Sequence, residues 1–154
     1  MKTRTIILTL LVCFAAGAVC FASDAWMGTW KLNESKSKIG AGMQKNDTVV
    51  YEASGDNVKV TVDGTNGEGK ATHDEWTGML DGKDYPLTGD PTADTRAYTK
   101  VNGHTLKLNE KKDGKIIMSG RLVISPDGKT RTLTLSGTNP MGKSFKLTEV
   151  YDKQ

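Results

Sequence analysis

The feature that most constrains the fold is a two-residue alternation of apolar and polar side chains, which recurs from residue 28 onward. It is clearest where Val58, Val60 and Val62 alternate with Lys59 and Thr61. The same period recurs in four later runs, at 105–108, 116–124, 132–136 and 145–151. Half-polar alternation is typical of an antiparallel sheet with one buried face. The sequence therefore predicts an all-β domain.

Short turn sequences separate these runs. Asp-Gly or Asn-Gly pairs lie at 81–82, 102–103, 113–114 and 127–128, and turn residues also cluster at 54–57 and 139–142. Such pairs supply the positive backbone angles that tight hairpins need. Because the turns join runs that are adjacent in sequence, they predict an up-and-down meander. We place its strands near 28–33, 47–53, 57–63, 70–80, 83–88, 93–101, 104–112, 115–124, 129–137 and 144–152. The only helical candidate is 34–39, capped by Asn33.

Eight to ten strands in so short a chain predict a closed barrel. An open sheet would leave two edges exposed to other chains, and closure removes both. Outside the first 22 residues the chain has only 22 Val, Leu, Ile and Phe residues, which is a small share for a two-layer sandwich. A barrel with a partly polar or hollow interior needs fewer. The predicted fold is a single up-and-down antiparallel β-barrel of 8–10 strands.

The first 22 residues have the pattern of a secretory signal peptide. Lys2 and Arg4 precede an apolar run at 6–22, which becomes rich in small residues towards its end. Cleavage is expected after Ala22 or as late as Ala25, leaving a barrel domain at 26–154. The mature protein would then be periplasmic or extracellular and not inserted in a membrane. The alternatives are a membrane anchor and lipid modification of Cys20.

Charge and residue counts exclude several functions. Outside the first 22 residues, 19 basic residues face 18 acidic ones, whereas nucleic-acid binders carry a basic stripe. Both cysteines lie in the leader, so the mature chain has no disulfide and no thiol chemistry. Two histidines without cysteine make a structural zinc site implausible. We expect no metal and no cofactor.

Both ends of the predicted barrel resemble those of a known family. Gly-Thr-Trp-Lys-Leu at 28–32 resembles the opening strand of the calycins, which include lipocalins and fatty-acid-binding proteins, and 148–153 resembles the last strand of the latter. The chain is also similar to exported bacterial lipocalin-like proteins. The resemblance implies a barrel that holds a small apolar ligand, with Trp30 plugging one end.

Two departures from this resemblance concern the ligand. Fatty-acid-binding proteins have a helix-turn-helix lid between their first two strands, but 33–46 is too short for two helices. Their carboxylate-binding arginine stands two residues before the tyrosine of the last strand, where this chain has Glu149 before Tyr151. A fatty acid held in the usual way is therefore not expected.

Glu149 and Tyr151 are the first candidate ligand contacts, because they share the inward parity of Phe145 and Leu147. A buried carboxylate needs a partner or water. Glu149 therefore either contacts a ligand, pairs with an inward arginine, or lies exposed near the mouth. Three arginines are candidates for that pairing: Arg96, Arg121 and Arg131.

The predicted ligand-binding set is completed by Trp76 and Tyr98, as wall aromatics, and by Arg96 and Arg121. His73 and Glu75 should face solvent, opposite in parity to Trp76. No converging nucleophile and base is recognisable. The predicted function is an exported, non-enzymatic barrel that binds a small, largely apolar molecule. The alternative is a secreted interaction module that binds a protein or envelope surface through rim loops such as 81–91.

Overall fold

The computed structural model describes residues 24–139 and 141–154, which form a closed antiparallel barrel of ten strands. The strands are β1 Gly28–Leu32, β2 Lys45–Ser54, β3 Asn57–Thr65, β4 Ala71–Gly78, β5 Tyr85–Thr88, β6 Thr95–Asn102, β7 Thr105–Lys112, β8 Lys115–Ile124, β9 Thr130–Thr138 and β10 Ser144–Lys153. Each strand end lies within two residues of its predicted position. The predicted fold is confirmed. The predicted signal peptide, residues 1–22, lies outside the described residues.

Each strand pairs with its neighbours in sequence, and β1 pairs with β10 to close the barrel. In that last ladder Trp30 lies opposite Lys153 and Leu32 lies opposite Tyr151. The alternation in sequence thus becomes an inner and an outer face on every strand. Within the described residues there is no helix with the length and apolar character needed to cross a membrane.

Up-and-down topology gives the barrel two distinct ends. At one end, which we call the plugged end, the chain enters through 24–27, and Trp26 and Trp30 are both 0% exposed. The Trp30 indole N–H donates to the Trp26 carbonyl over 2.8 Å. Lys100 and Lys153 lie over the two rings, 4.8 Å from the Trp26 centroid and 5.1 Å from the Trp30 centroid. The plug position that the resemblance implied for Trp30 is therefore observed.

The opposite end, which we call the open end, holds the 33–44 connection and the β3–β4, β5–β6, β7–β8 and β9–β10 turns. The helical candidate at 34–39 is a single 3₁₀ turn, Glu34–Lys36, whose N-cap Asn33 accepts the Lys36 backbone N–H over 3.3 Å. No two-helix lid covers this end within the described residues.

The Asp113-Gly114 turn has the predicted geometry, with Asp113 at φ 48° and Gly114 at φ 73°, whereas at 81–82 and 127–128 only the glycine has a positive φ. The Asn-Gly pair at 102–103 differs, because neither residue has a positive φ. There the turn is displaced by one residue, and the Asn102 side chain accepts the His104 backbone N–H over 2.9 Å. The Asn side chain thus caps the turn from outside it.

Candidate functional site in the barrel interior

Glu149 and Tyr151 lie inside the barrel, as their parity predicted, and are 1% and 0% exposed. The Tyr151 hydroxyl donates to Glu149 Oε2 over 2.7 Å. Burial raises the pKa of Glu149, while the Tyr151 hydroxyl, the Arg131 charge and the Asn46 backbone N–H act in the opposite direction. Burial and the neighbouring carboxylate raise the pKa of Tyr151 well above its usual range. Glu149 is thus held by the protein's own donors.

Arg131 is the interior residue that is least well satisfied. It is 2% exposed, and its guanidinium carbon lies 4.4 Å from the Tyr151 ring centroid and 5.4 Å from that of Tyr51. Nη2 donates to the Tyr51 hydroxyl over a long 3.4 Å. Nε and Nη1 are buried and have no acceptor among the described residues. Burial opposes the charge of Arg131, yet the surrounding tyrosines and Glu149 raise its pKa, so it stays cationic.

Sequence reasoning missed Arg131 as a ligand contact and considered it only as a partner for Glu149. The signal was present, because Arg131 shares the parity of Leu133 and Leu135 on β9. In the structure Arg131 lies directly opposite Tyr151 in the β9–β10 ladder. A guanidinium therefore does accompany the tyrosine of the last strand, but it comes from the neighbouring strand and not from position 149.

The predicted wall aromatics Trp76 and Tyr98 are buried and pack against each other. Their ring centroids are 4.9 Å apart at 74°, an edge-to-face geometry that aromatic pairs favour. Tyr85 packs on the other side of Trp76 at 5.8 Å, and Tyr51 contacts Tyr98 at 6.2 Å. The hydroxyls of Tyr51 and Tyr98 are 3.4 Å apart. Tyr85, Trp76, Tyr98 and Tyr51 thus form a continuous row of aromatic contacts that ends at Arg131.

Arg96 is also inside the barrel, but carboxylates already occupy its guanidinium. Its Nε donates to Glu110 Oε1 over 2.6 Å and its Nη2 to Asp74 Oδ2 over 3.2 Å. All three residues are buried. Burial opposes the charge of Arg96, but Glu110, Tyr98 and Asp74 raise its pKa. Burial raises the pKa of Asp74, and the Arg96 charge offsets part of this effect. This ion triad explains the burial of Arg96 without a ligand.

The assignment of Arg121 to the interior is wrong. Its side chain is exposed on the outer wall, because it has the opposite parity to the buried Leu122. There it lines a shallow groove of ≈ 520 Å³ along β9, with Lys146 on the opposite bank. It is too far around the wall to pair with Glu149, and it cannot meet an interior ligand.

Exposure of the inward side chains differs between the two ends. Trp30 and Tyr151 at the plugged end are both 0% exposed, whereas Leu135 and Leu147, nearer the open end, keep 5% and 6%. At the open rim Met118 and Phe145 are only half-buried. The inward side chains at the open rim are therefore more exposed than those around Trp30 and Tyr151.

Other predicted positions lie outside this interior. His73 is exposed and its Nδ1 lies 2.7 Å from Asp63 Oδ1, a contact that raises the pKa of the imidazole. Glu75 is partly exposed and pairs with Lys59 at 2.6 Å. Segment 81–91 runs along the wall and includes β5, and its Gly82 N–H donates to the Tyr98 carbonyl over 2.8 Å. Partner binding by this segment stays a prediction.

Comparison with known proteins concerns the fold. No family model matches the chain. No curated protein matches it. The solved structure of EF1p2_mFAP2b bound to DFHBI is similar at a TM-score of 0.50 and 12% identity, over 84% of this chain and 94% of that chain. The redesigned β-barrel mFAP1 bound to DFHBI gives 0.46 and 16%, over 84% and 95%. Lobster apocrustacyanin A1 gives 0.41 and 13%, over 84% and 61%. The chain has the fold of a ten-strand antiparallel β-barrel, closed by its first and last strands and similar to that of EF1p2_mFAP2b.

Proposed function

We propose that this protein is a small-molecule-binding barrel whose ligand has an apolar body and an anionic or strongly hydrogen-bond-accepting end. The observation that carries the proposal is Arg131, a guanidinium 2% exposed whose Nε and Nη1 have no acceptor among the described residues. A buried donor without a partner costs about 1–3 kcal/mol, and more when it is charged. An acceptor on a bound molecule would recover that energy.

The surroundings of Arg131 favour a planar or apolar ligand next to the acceptor. Tyr51 and Tyr151 offer ring faces on either side of the guanidinium. Further towards the open end the wall is lined by Leu108, Leu135 and Leu147. Pockets for small molecules typically combine such apolar walls with a few fixed polar groups. The ligand would enter at the open end and displace the half-buried Phe145.

The similarity in fold also supports the binding of a small molecule. EF1p2_mFAP2b is a barrel with DFHBI bound, and it shows that a chain of this architecture can hold a small molecule. We propose that the present protein binds without turnover, because its interior carboxylates are engaged by Tyr151 and by Arg96. We also propose export, on the basis of Lys2, Arg4 and the apolar run at 6–22.

The test measures how tightly two arginine variants bind the fluorescent probe 8-anilinonaphthalene-1-sulfonate. This probe has an apolar body and one anionic group. Arg131→Met should weaken probe binding at least tenfold, the loss expected when a charge-assisted hydrogen bond disappears. Arg121→Met removes the same charge from the outer wall and serves as the matched control. A neutral probe, 1-aminonaphthalene, should be bound equally by all three proteins.

Circular dichroism would establish that each variant remains folded. Equal binding of the anionic probe by the Arg131→Met and Arg121→Met variants would contradict a role for Arg131. Absence of any saturable probe binding, together with absence of small molecules in mass spectra of the purified native protein, would contradict the function itself.

A further inference from the structure

The two most exposed large apolar side chains of the described residues both lie at the open end. Ile116 is 58% exposed and follows the β7–β8 turn, and Met141 is 86% exposed in the β9–β10 turn. Ile116 has the parity of Leu122 and Ile124, but the β7–β8 register shifts between Glu110 and Lys111, so Ile116 lies opposite Lys111. Because Glu110 points into the barrel, Lys111 and Ile116 lie on the outer face, away from the core.

Ile116 lines a groove of ≈ 360 Å³ across β8, β9 and β10, and Met141 lies outside it. Half-buried apolar residues in the lining are Ile117, Met118 and Phe145, and its hydroxyl-bearing residues are Ser119, Ser136, Thr138 and Ser144. Gly137 lies within this groove, and a Cβ there would come within 2.3 Å of the Ile117 carbonyl oxygen. The glycine thus lets β8 and β9 approach closely at the rim, which keeps the apolar side chains of the groove together.

The charges around this patch are predominantly basic. Lys115, Lys143 and Lys146 have no acidic partner within ion-pair distance among the described residues, whereas the nearby Lys112 is neutralised by Asp94 at 2.7 Å. Asp113 is the acidic residue of the same turn.

We propose that this open rim, defined by Ile116, Met141, Phe145, Lys115 and Lys143, docks onto an anionic lipid surface. Exposed apolar side chains that are flanked by lysines match the interfacial layer of a bilayer, where apolar groups enter the acyl boundary and ammonium groups meet anionic headgroups. A lipid surface fits better than a protein partner. Ile116 and Met141 project from two separate turns, whereas a stable protein interface requires about 800 Å² of buried surface on each partner.

Docking in this orientation would place the barrel mouth against the membrane. Docking does not depend on the proposed ligand, because Ile116, Met141 and the two lysines lie outside the interior that surrounds Arg131, and only Phe145 belongs also to the proposed path of the ligand. It does not require insertion of a strand or helix.

The experiment measures partition of the whole chain onto phosphatidylcholine vesicles with and without phosphatidylglycerol. The matched control is Met79→Ser/Val101→Ser, because these side chains are also exposed, 44% and 45%, but lie at the plugged end. Ile116→Ser/Met141→Ser should lower partition about tenfold relative to that control, since each change removes several methylene-sized groups from the acyl boundary. Lys115→Gln/Lys143→Gln should lower partition about 10- to 30-fold on the anionic vesicles alone.

Residues 1–22, which contain the apolar run at 6–22, are identical in every variant, so they contribute equally to each measurement. Hydrogen exchange on the vesicles locates the contact independently of that segment. Protection at 113–118 and around Phe145, absent in the Lys115→Gln/Lys143→Gln variant, supports the docking. Unchanged exchange in both segments, or equal loss of partition in the Met79→Ser/Val101→Ser control, overturns it.

Discussion

Arg131 lies directly across the β9–β10 ladder from Tyr151, with its guanidinium carbon 4.4 Å from the centre of the tyrosine ring. The hydroxyl of that tyrosine donates to Glu149, and Arg131 forms no ion pair with Glu149 among the described residues. Neither charge is neutralised by direct contact. Arg131 therefore keeps two N–H groups without an acceptor. This is so although Glu149 lies only two residues along β10 from Tyr151, the ladder neighbour of Arg131.

The pH dependence of stability should reveal the burial of Glu149. Its pKa is raised above the ordinary 4.5 by burial, so the native state retains this proton after the unfolded chain has lost it. The contribution of Glu149 to the free energy of unfolding is complete below about pH 4.5 and is lost as the pH rises through the raised pKa. The free energy of unfolding of the wild type minus that of Glu149→Gln should therefore fall with pH. Urea denaturation at a series of pH values measures it, and a difference that grows with pH would mean that the Arg131 charge outweighs burial.

Removing Arg96 should destabilise the barrel by about 3–5 kcal/mol, because Asp74 and Glu110 would remain buried without their cation. The variant is Arg96→Met, measured by urea unfolding. Arg96→Met/Asp74→Asn/Glu110→Gln, which removes the whole ion triad, should recover most of the loss. A triple variant as unstable as the single one would show that packing of the Arg96 stem, and not charge, is responsible.

Gly78→Ala should destabilise the protein by about 1–3 kcal/mol through overpacking. A Cβ at this position would lie 2.4 Å from the Tyr85 ring and 2.7 Å from the Trp76 ring, and neither rigid ring can bend away. Gly103→Ala is the matched control, because nothing lies within 4 Å of its Cβ position. Thermal unfolding of the two variants should differ clearly, and equal midpoints would refute the steric argument.

The β7–β8 turn provides a test of backbone strain. Asp113 has φ 48°, a conformation that Asn tolerates and Ala does not. Asp113→Ala should lower the free energy of unfolding by about 1 kcal/mol, while Asp113→Asn should leave it nearly unchanged. Chemical denaturation of both variants measures this, and an Ala variant as stable as the Asn variant would show that the turn has rearranged.

The period of two made the barrel and the inward positions predictable. It placed Glu149, Tyr151, Trp30 and Trp76 inside, since a strand residue's face follows from its parity alone. Arg121 could have been assigned correctly by the same rule, because the adjacent Leu122 is apolar. Its assignment to the interior ignored the pattern.

Specific side-chain contacts between strands could not be predicted in the same way. Arg96 lies opposite Glu110 on β7 and also reaches Asp74 on β4, and both contacts depend on strand register and on the tilt of the barrel wall. A sequence pattern contains neither quantity. For the same reason Arg131 could be recognised as inward but not as the neighbour of Tyr51, 80 positions earlier in the chain.

The pairing of β1 with β10 also determines when the protein can fold. Strand β1 gains its second neighbour only when β10 pairs with it, with Lys153 opposite Trp30. A chain whose C-terminal strand has not yet been synthesised can therefore form hairpins but not the closed barrel. Loop closure over such a separation is slow compared with hairpin formation. The newly made chain therefore passes through an interval in which its hairpins can form but the barrel cannot yet close.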